Sequence, residues 1–545
     1  MKETGSPVTP GPETDAGSGP EKDDARPAGT VLRRSLPKTP LLLIASYVLC
    51  VCAWAVSSPP GTAPDEYAHY LRALGAGRGD LILTKRPPPL KGPSSADKAL
   101  RWQQKQARMV SIPARLSPEV FNCRAMPGQV ENCTIKAPTG KGNAVFRSWV
   151  ATYPPFGYML PGLGMRLGNT PVETLIIGRL VSALTCLALI AGAVYLLWDP
   201  KRQQISLLGL VVATTPMVVF VASSLSASGP ETSAGICFFA CLIRLLRDAP
   251  GENDDRCGSP PSVWLIGAAS GVVLALSRDL GAGWIAVDGL TFLALAGPKK
   301  VRVILKSSKW AAIVTGGIVF VALVASALWQ KIIQPHPPLG LSTLKETFET
   351  TWGFFREIAR QQIGVFGPLD TVMPGPAYFV WGLMLIVLCV LALLVGNRRE
   401  RLVLAGLAAV NLFLASALDA TQRGVGFGAQ GRHLLPLAVT IPILAGEIVS
   451  LKQGRLGEAR PRRLMLWTLT AAAAVYLIAW FTLAHRYSGG GWFSFLNRPV
   501  VWSPPITWAV GTALVATCGL LLVTAGFLSR PEAEALPEPP AVAAG

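Results

Sequence analysis

The apolar runs of this chain constrain its fold more than any other feature. A helix of ~18 or more predominantly apolar residues is long enough to cross the hydrocarbon core of a bilayer. About twelve such runs can be picked out, near 40–58, 171–198, 205–226, 229–247, 262–277, 280–297, 310–329, 376–396, 401–418, 433–451, 463–484 and 506–528. The composition agrees. Of 545 residues, 50% are hydrophobic and only 15% charged, with a mean hydropathy of +0.41. That is too little charge to clothe a soluble protein of this length or to keep the chain disordered. The expected fold is all-α, a polytopic membrane protein with about 12 transmembrane helices. Its first extracytoplasmic loop, 59–170, is large and is expected to contain amphipathic helices. The runs 262–277 and 280–297 are interrupted by Ser277-Arg278-Asp279, and read either as a hairpin or as one broken or re-entrant element.

The net charge of +18 fits two explanations, a nucleic-acid partner or the Lys/Arg bias of cytoplasmic loops, and the apolar runs select the second. With the N-terminus inside, Lys201-Arg202, Lys299-Lys300, Arg398-Arg399 and the Lys452–Arg462 stretch all fall in inner loops. Loops 419–432 and 485–505 then lie outside and carry only Arg423 and Arg432, then Arg486 and Arg498. Both termini are therefore placed in the cytoplasm. The polar, Pro-, Gly- and Glu-rich tail 1–39 has no early apolar stretch of the kind a cleavable signal needs. It reads as a disordered cytoplasmic tail, as does 529–545. Cys123 and Cys133 are the cysteines of the predicted outer loops and are read as a disulfide. Cys257 falls in an inner loop as a free thiol, and the remaining cysteines sit within spans as small apolar residues. No Cys/His spacing suggests zinc.

Unusual polar residues gather on the outer side. Directly after the first span comes Pro59-Pro60-Gly61-Thr62-Ala63-Pro64-Asp65-Glu66-Tyr67-Ala68-His69-Tyr70-Leu71-Arg72. Thr62 and Asp65 have capping-box spacing, which predicts a helix start. On that helix Asp65, His69 and Arg72 share one polar stripe, opposite Tyr67, Tyr70, Leu71 and Leu74. The pattern predicts a helix lying on the outer membrane surface with its polar face towards a cavity. Asp65 then either caps the helix or acts as a general base, with a pKa raised by proximity to lipid. A second cluster is Gln430-Gly431-Arg432-His433. Gly431 would admit a ligand close to the backbone, and Arg432 either grips a phosphate in a bidentate fork or snorkels from a helix end. Asp370, in Gly364-Val365-Phe366-Gly367-Pro368-Leu369-Asp370, reads first as part of a turn before a span. Arg278-Asp279 lies either at the outer surface or at membrane depth, where ionisable residues are usually functional. Glu231, after Gly229-Pro230, fits a first helical turn or a site.

The three motifs Pro-x-Asp-Glu-x-x-His, Phe-Gly-x-Leu-Asp-x-x-x-Pro and Gln-Gly-Arg, in this order, resemble a bacterial family of predicted multi-pass membrane proteins labelled "domain of unknown function 2142". The family's architecture resembles the GT-C glycosyltransferases, and the likeness runs from about Pro40 to Leu528. The resemblance implies a GT-C-like transmembrane domain over 40–528, in a bacterial plasma membrane. It further implies a glycosyltransferase that moves a sugar from a polyprenyl-phosphate donor to a cell-envelope glycan or lipid acceptor on the outer face. The catalytic carboxylate would be Asp65 or Glu66, Asp65 being preferred. His69, Arg72, Asp370, Gln430, Arg432 and His433 would contact substrate. The chain departs from the pattern at His433, where a Tyr is usual, and at Glu231, in place of an Asn-Pro-Asp-like turn. The implied partners are the bilayer, the lipid-linked sugar and the glycan acceptor, with no nucleic acid. No cofactor is implied, and the two adjacent acids are too few to assert a divalent metal. The rival readings are a transporter or flippase of lipid-linked sugars, and a non-catalytic envelope-assembly protein.

Overall fold

Apolar runs become helices wherever span-length stretches occur, and polar insertions between them build the remainder. The computed structural model describes residues 37–121, 140–250, 258–335, 344–457, 459–488 and 502–528. Cys123, Cys133 and Cys257 lie outside the described residues.

Helix α1 (Lys38–Ser57) ends at Ser58-Pro59-Pro60, and α2 (Glu66–Gly77) follows after a short turn. α3 (Lys98–Gln106) is capped by Asp97, whose carboxylate accepts from Leu100 N at 2.9 Å. A two-stranded antiparallel sheet comes next, β1 (Arg108–Pro113) with β2 (Asn143–Ser148), in a register that sets Arg108 opposite Ser148. After α4 (Phe156–Gly164), the long helix α5 (Pro171–Leu197) opens on a Thr170 cap and a Pro at its first position. Then come α6 (Leu208–Ala213), α7 (Pro216–Ser223), α8 (Ser228–Asp248), α9 (Pro261–Ser277), α10 (Gly281–Ser307) and α11 (Lys309–Ile333). α12 (Leu344–Gly364) runs into the hairpin of β3 (Val365–Phe366) and β4 (Thr371–Val372). The chain finishes with α13 (Gly375–Val395), α14 (Arg398–Gly424), α15 (Leu435–Ala438), α16 (Thr440–Leu451), α17 (Ala459–Ser488) and α18 (Thr507–Phe527).

The protein is a multi-pass membrane protein. Among the described residues, ten helices are long and apolar enough to cross a membrane. The run expected at 205–226 is a pair, α6 and α7, bent by 66° where Pro216 cannot continue the first helix. The run at 262–277 is α9, apolar but only 17 residues long. It is a helix distinct from α10, so the interruption at Arg278-Asp279 is a turn between two packed helices. Three expectations are corrected. Residues 298–307, expected as a loop, continue α10 beyond a kink at Gly297, whose φ of 73° breaks the helix just before Pro298. The expected loop 330–375 contains α12 and the β3–β4 hairpin. And α2 is not an amphipathic surface helix: every residue except Tyr67 is buried.

The reason for that burial is a second, smaller core. Tyr70, Leu71 and Leu74 of α2 pack with Val110 and Ile112 of β1, Tyr158 of α4 and Leu175 of α5. α2 and α4 meet backbone to backbone. A Cβ on Gly77 would fall 2.1 Å from the Gly162 carbonyl oxygen, so only glycine permits this approach. The N-terminus of α2 is tied down by Arg179 of α5. Its Nε donates to Glu66 Oε1 at 2.7 Å and its Nη2 to Glu66 Oε2 at 2.6 Å. The other guanidinium hydrogens reach the carbonyls of Ala55, Ser58 and Pro59, at the end of α1. Glu66 also accepts from Gly61 N and Leu225 N. Both side chains are shut off from solvent.

A paired, fully hydrogen-bonded buried charge becomes a large cost when one partner is removed, about 3–5 kcal/mol. Glu66→Ala and Arg179→Ala are each expected to lower the melting temperature of the purified protein sharply, and the double variant to be less destabilised than the sum. Single variants with wild-type melting would contradict this.

Candidate functional site

At the end of the bundle that carries α2 lies a cavity of about 180 Å³. Its walls come from distant parts of the chain: Asp65 and His69 beside α2, Trp102 of α3, Trp149 and Tyr153 after β2, Arg278 between α9 and α10, and Gln430, Arg432 and His433 before α15.

Asp65 is held in the left-handed region, φ 60° and ψ 11°, where Asp is tolerated better than most residues. The capping expectation is corrected here. The Asp65 side chain caps nothing, and Thr62 Oγ1 donates to the Pro59 carbonyl at 2.7 Å. Instead the Asp65 carboxylate reaches across the molecule. Oδ2 accepts from Arg432 Nη2 at 2.8 Å, and Oδ1 accepts from Trp149 Nε1 at 3.0 Å. Its side chain keeps 36% exposure, on the cavity. The expectation of a raised pKa is also corrected. Desolvation pushes Asp65 up, but the charge of Arg432, with His69 and the bonds from Arg432 and Trp149, outweighs it and holds the carboxyl below its ordinary value.

Arg432 sits in a short 3₁₀ turn, Gly431–Leu434. Its Nε donates to Gln430 Oε1 at 2.7 Å, so Gln430 orients the guanidinium towards Asp65. Gly431 serves packing rather than ligand approach. A Cβ there would lie 2.4 Å from the Ile358 carbonyl of α12, and its N–H donates to Gln361 Oε1 at 2.8 Å. His69 pairs through Nδ1 with the Tyr158 hydroxyl at 2.7 Å. Burial, opposed by Asp65 and reinforced by Arg432 and Arg278, drives its pKa down to about 3, so the imidazole is neutral at physiological pH.

Five of the eight anticipated site residues therefore line one cavity: Asp65, His69, Gln430, Arg432 and His433. Three stand elsewhere. Glu66 is spent on Arg179. Arg72, expected on the polar stripe, is buried beneath α2 and donates to the carbonyls of Tyr153, Asp80 and Leu81. Asp370 pairs with Arg486 of α17 at 3.0 Å and clips the β3–β4 hairpin to that helix. Arg278 belongs to the cavity instead. It lies over the Tyr153 ring, 5.7 Å from its centroid. Among the described residues its polar contacts are long, 3.4 Å to Ser228 Oγ and 3.6 Å to Glu231 Oε2. Glu231 is fixed in turn by Trp284 Nε1 at 3.0 Å. The sequence signal for Arg278 was its charge between two apolar runs. Trp149 and Tyr153 gave none. Among the described residues, no three His, Cys, Asp or Glu side chains converge as a metal site would require.

A carboxyl whose pKa is depressed on folding contributes stability above its unfolded value, and that contribution is lost as pH falls through the folded value. Asp65→Asn is expected to flatten the fall in melting temperature between about pH 5 and pH 3. An acid limb identical to that of wild type would show that Asp65 is not so held.

No curated protein matches the chain. Two solved structures similar to it are those of ArnT from Cupriavidus metallidurans, in the apo state and bound to undecaprenyl phosphate. Each shares 12% identity, with TM-scores of 0.42 and 0.41, over 89% of this chain and 75% of that one. Residues 48–441 match the family described as "Predicted membrane protein (DUF2142)". With that match spanning most of its length, the chain belongs to the DUF2142 family of predicted membrane proteins.

Proposed function

We propose that this protein is a glycosyltransferase of a bacterial plasma membrane, with both termini in the cytoplasm and the cavity on the outer face. It takes a sugar from a polyprenyl-phosphate donor and passes it to a hydroxyl of an envelope acceptor. The observation that carries this reading is that an ionised, partly exposed carboxylate, Asp65, is bonded to Arg432 in a small cavity that Arg278 also lines.

In this reading the acceptor hydroxyl gives its proton to Asp65. The acceptor oxygen bonds to the anomeric carbon, the bond from that carbon to the phosphate oxygen breaks, and polyprenyl phosphate leaves with the electron pair. The phosphate gains one negative charge as it departs, so cations aimed at it stabilise the transition state more than the ground state. Arg432 is already engaged by Asp65 and Gln430. Arg278, with only long contacts, has donors to spare for a phosphate. His69, neutral and bonded to Tyr158, offers hydrogen bonding without a competing charge. Glu66 and Arg72 hold the site's framework and touch no substrate.

Asp65→Asn, assayed with a lipid-linked sugar in purified protein, is expected to cost roughly 10²–10⁴-fold in turnover. Arg278→Gln is expected to raise the KM for the donor and lower kcat, while Arg72→Lys acts through stability alone. Unchanged turnover in Asp65→Asn would remove it as the base.

Two observations favour a second reading, a transporter of lipid-linked sugars. The α6–α7 pair is bent by 66°. Asp288 of α10 is buried with its Oδ2 unpartnered among the described residues. Movement of a labelled lipid-linked sugar across liposomes, with no glycosidic bond made, would select this reading.

A further inference from the structure

On the far side of α3 from the Asp65 cavity runs a larger groove, of about 560 Å³, within the roughly 300–1,000 Å³ of small-molecule sites. Its cations are Arg86, Lys105 and Arg108. Among the described residues, no Asp or Glu lines it. One rim is the polyproline segment 87–89. Gln104 fixes it to α3, donating through Nε2 to the Pro87 and Pro88 carbonyls at 3.3 and 2.5 Å. The Met109 N–H, donating to the Lys85 carbonyl at 2.8 Å, ties the same segment to β1. Arg108 is 8% exposed, and its Nη1 is anchored to the Lys105 and Ala107 carbonyls. Burial and the nearby charge of Arg86 both lower the Arg108 pKa. Like charges are thus held together on a stiff frame without a compensating acid.

This charge is not explained by membrane insertion. Between Asp80 and Val120 the sequence has eight Lys or Arg against three Asp or Glu. The segment lies on the same side as the cavity, where the inner-loop bias does not apply. Groove and cavity also adjoin. Pro335 lines both, and Gln334 of the groove donates to Asp279 of the cavity at 2.9 Å. α3 is the shared wall, with Trp102, Gln103 and Gln106 facing one space and Gln104 and Lys105 the other.

We infer that this groove binds the acceptor, and that the acceptor is an anionic glycan bearing carboxylate or phosphate groups along its chain. The inference rests on the transferase reading for the choice of acceptor over product or inhibitor. The donor phosphate has to lie beside Asp65, within the cavity. An anion held beyond α3 belongs to the other substrate. An extended, open groove with several cations suits a chain of repeated charges better than a single headgroup.

The test uses the full-length protein in phosphatidylcholine nanodiscs. The probes are a fluorescein-labelled hyaluronan hexasaccharide, carrying carboxylates, and neutral maltohexaose, compared by fluorescence anisotropy. The hexasaccharide is expected to bind, with affinity falling steeply with salt, and maltohexaose not to bind. Arg86→Gln with Lys105→Gln, both exposed positions, is expected to weaken hexasaccharide binding by roughly tenfold or more. Asp65→Asn is expected to bind it as wild type does. Equal affinity for the two probes, or no loss in the double variant, would overturn the inference. So would hexasaccharide binding abolished by adding phosphatidylglycerol to the discs, which would assign the groove to lipid headgroups. Wild-type protein that binds the hexasaccharide through Arg86 and Lys105 but transfers no sugar would sink the transferase reading and leave an anionic-glycan site.

Discussion

The contact between Glu66 and Arg179 is the one on which the site depends. It joins the first residue of α2 to the interior of α5, and the same guanidinium gathers three carbonyls at the end of α1. Every hydrogen the guanidinium can donate is taken, and both Glu66 oxygens accept more than one bond. A charge pair away from water is tolerated only when satisfied to this degree. Its consequence is geometric. With Glu66 pinned inward, its neighbour Asp65 is forced into a left-handed turn that points its carboxylate the other way, onto the cavity. Two adjacent acids thus stand in unlike settings, one bracing the fold and the other facing the cavity.

The cavity is built around a balance of charges. Asp65 is ionised because Arg432 and Trp149 hold it, and Arg432 is aimed because Gln430 holds it. The two histidines and Tyr153 add polarity around them, and Arg278 brings a second positive charge tethered only loosely to Glu231. Two arginines, Arg278 and Arg432, thus face two aspartates, Asp65 and Asp279, across the same small space. α3 divides this chamber from a broader basic groove. The proposed transfer would use such a division, with one compartment for the lipid-linked donor and another along the acceptor.

The membrane-spanning elements were legible in the sequence because length and hydropathy decide them locally. Where they departed from expectation, a glycine or proline was responsible: Pro216 at the α6–α7 bend and Gly297 at the kink of α10. α12 was passed over because it is an amphipathic helix of mixed polarity, which a search for continuous apolar runs does not pick out. The site was half legible. Asp65 and Arg432 stood out as polar residues beside spans, and they meet although 367 positions separate them. Arg72 misled because helical spacing put it in line with Asp65 and His69, whereas the loop carbonyls of Tyr153, Asp80 and Leu81 capture it beneath the helix. Gly431 misled for a similar reason, as the neighbour requiring its small size is α12 and not a ligand.

By itself the sequence determined that this is a multi-pass helical membrane protein, because each span is a local statement about transfer of a segment from water to lipid. It also marked the outer polar clusters as worth attention. What only the tertiary structure decided was which charge answers which. Glu66 found Arg179, Asp65 found Arg432, Asp370 found Arg486, and Arg278 was left with long contacts at the cavity. These pairings cross more than a hundred residues of chain. Coulomb energy depends on distance through space and on the local dielectric, and neither is written in the spacing of residues along the chain.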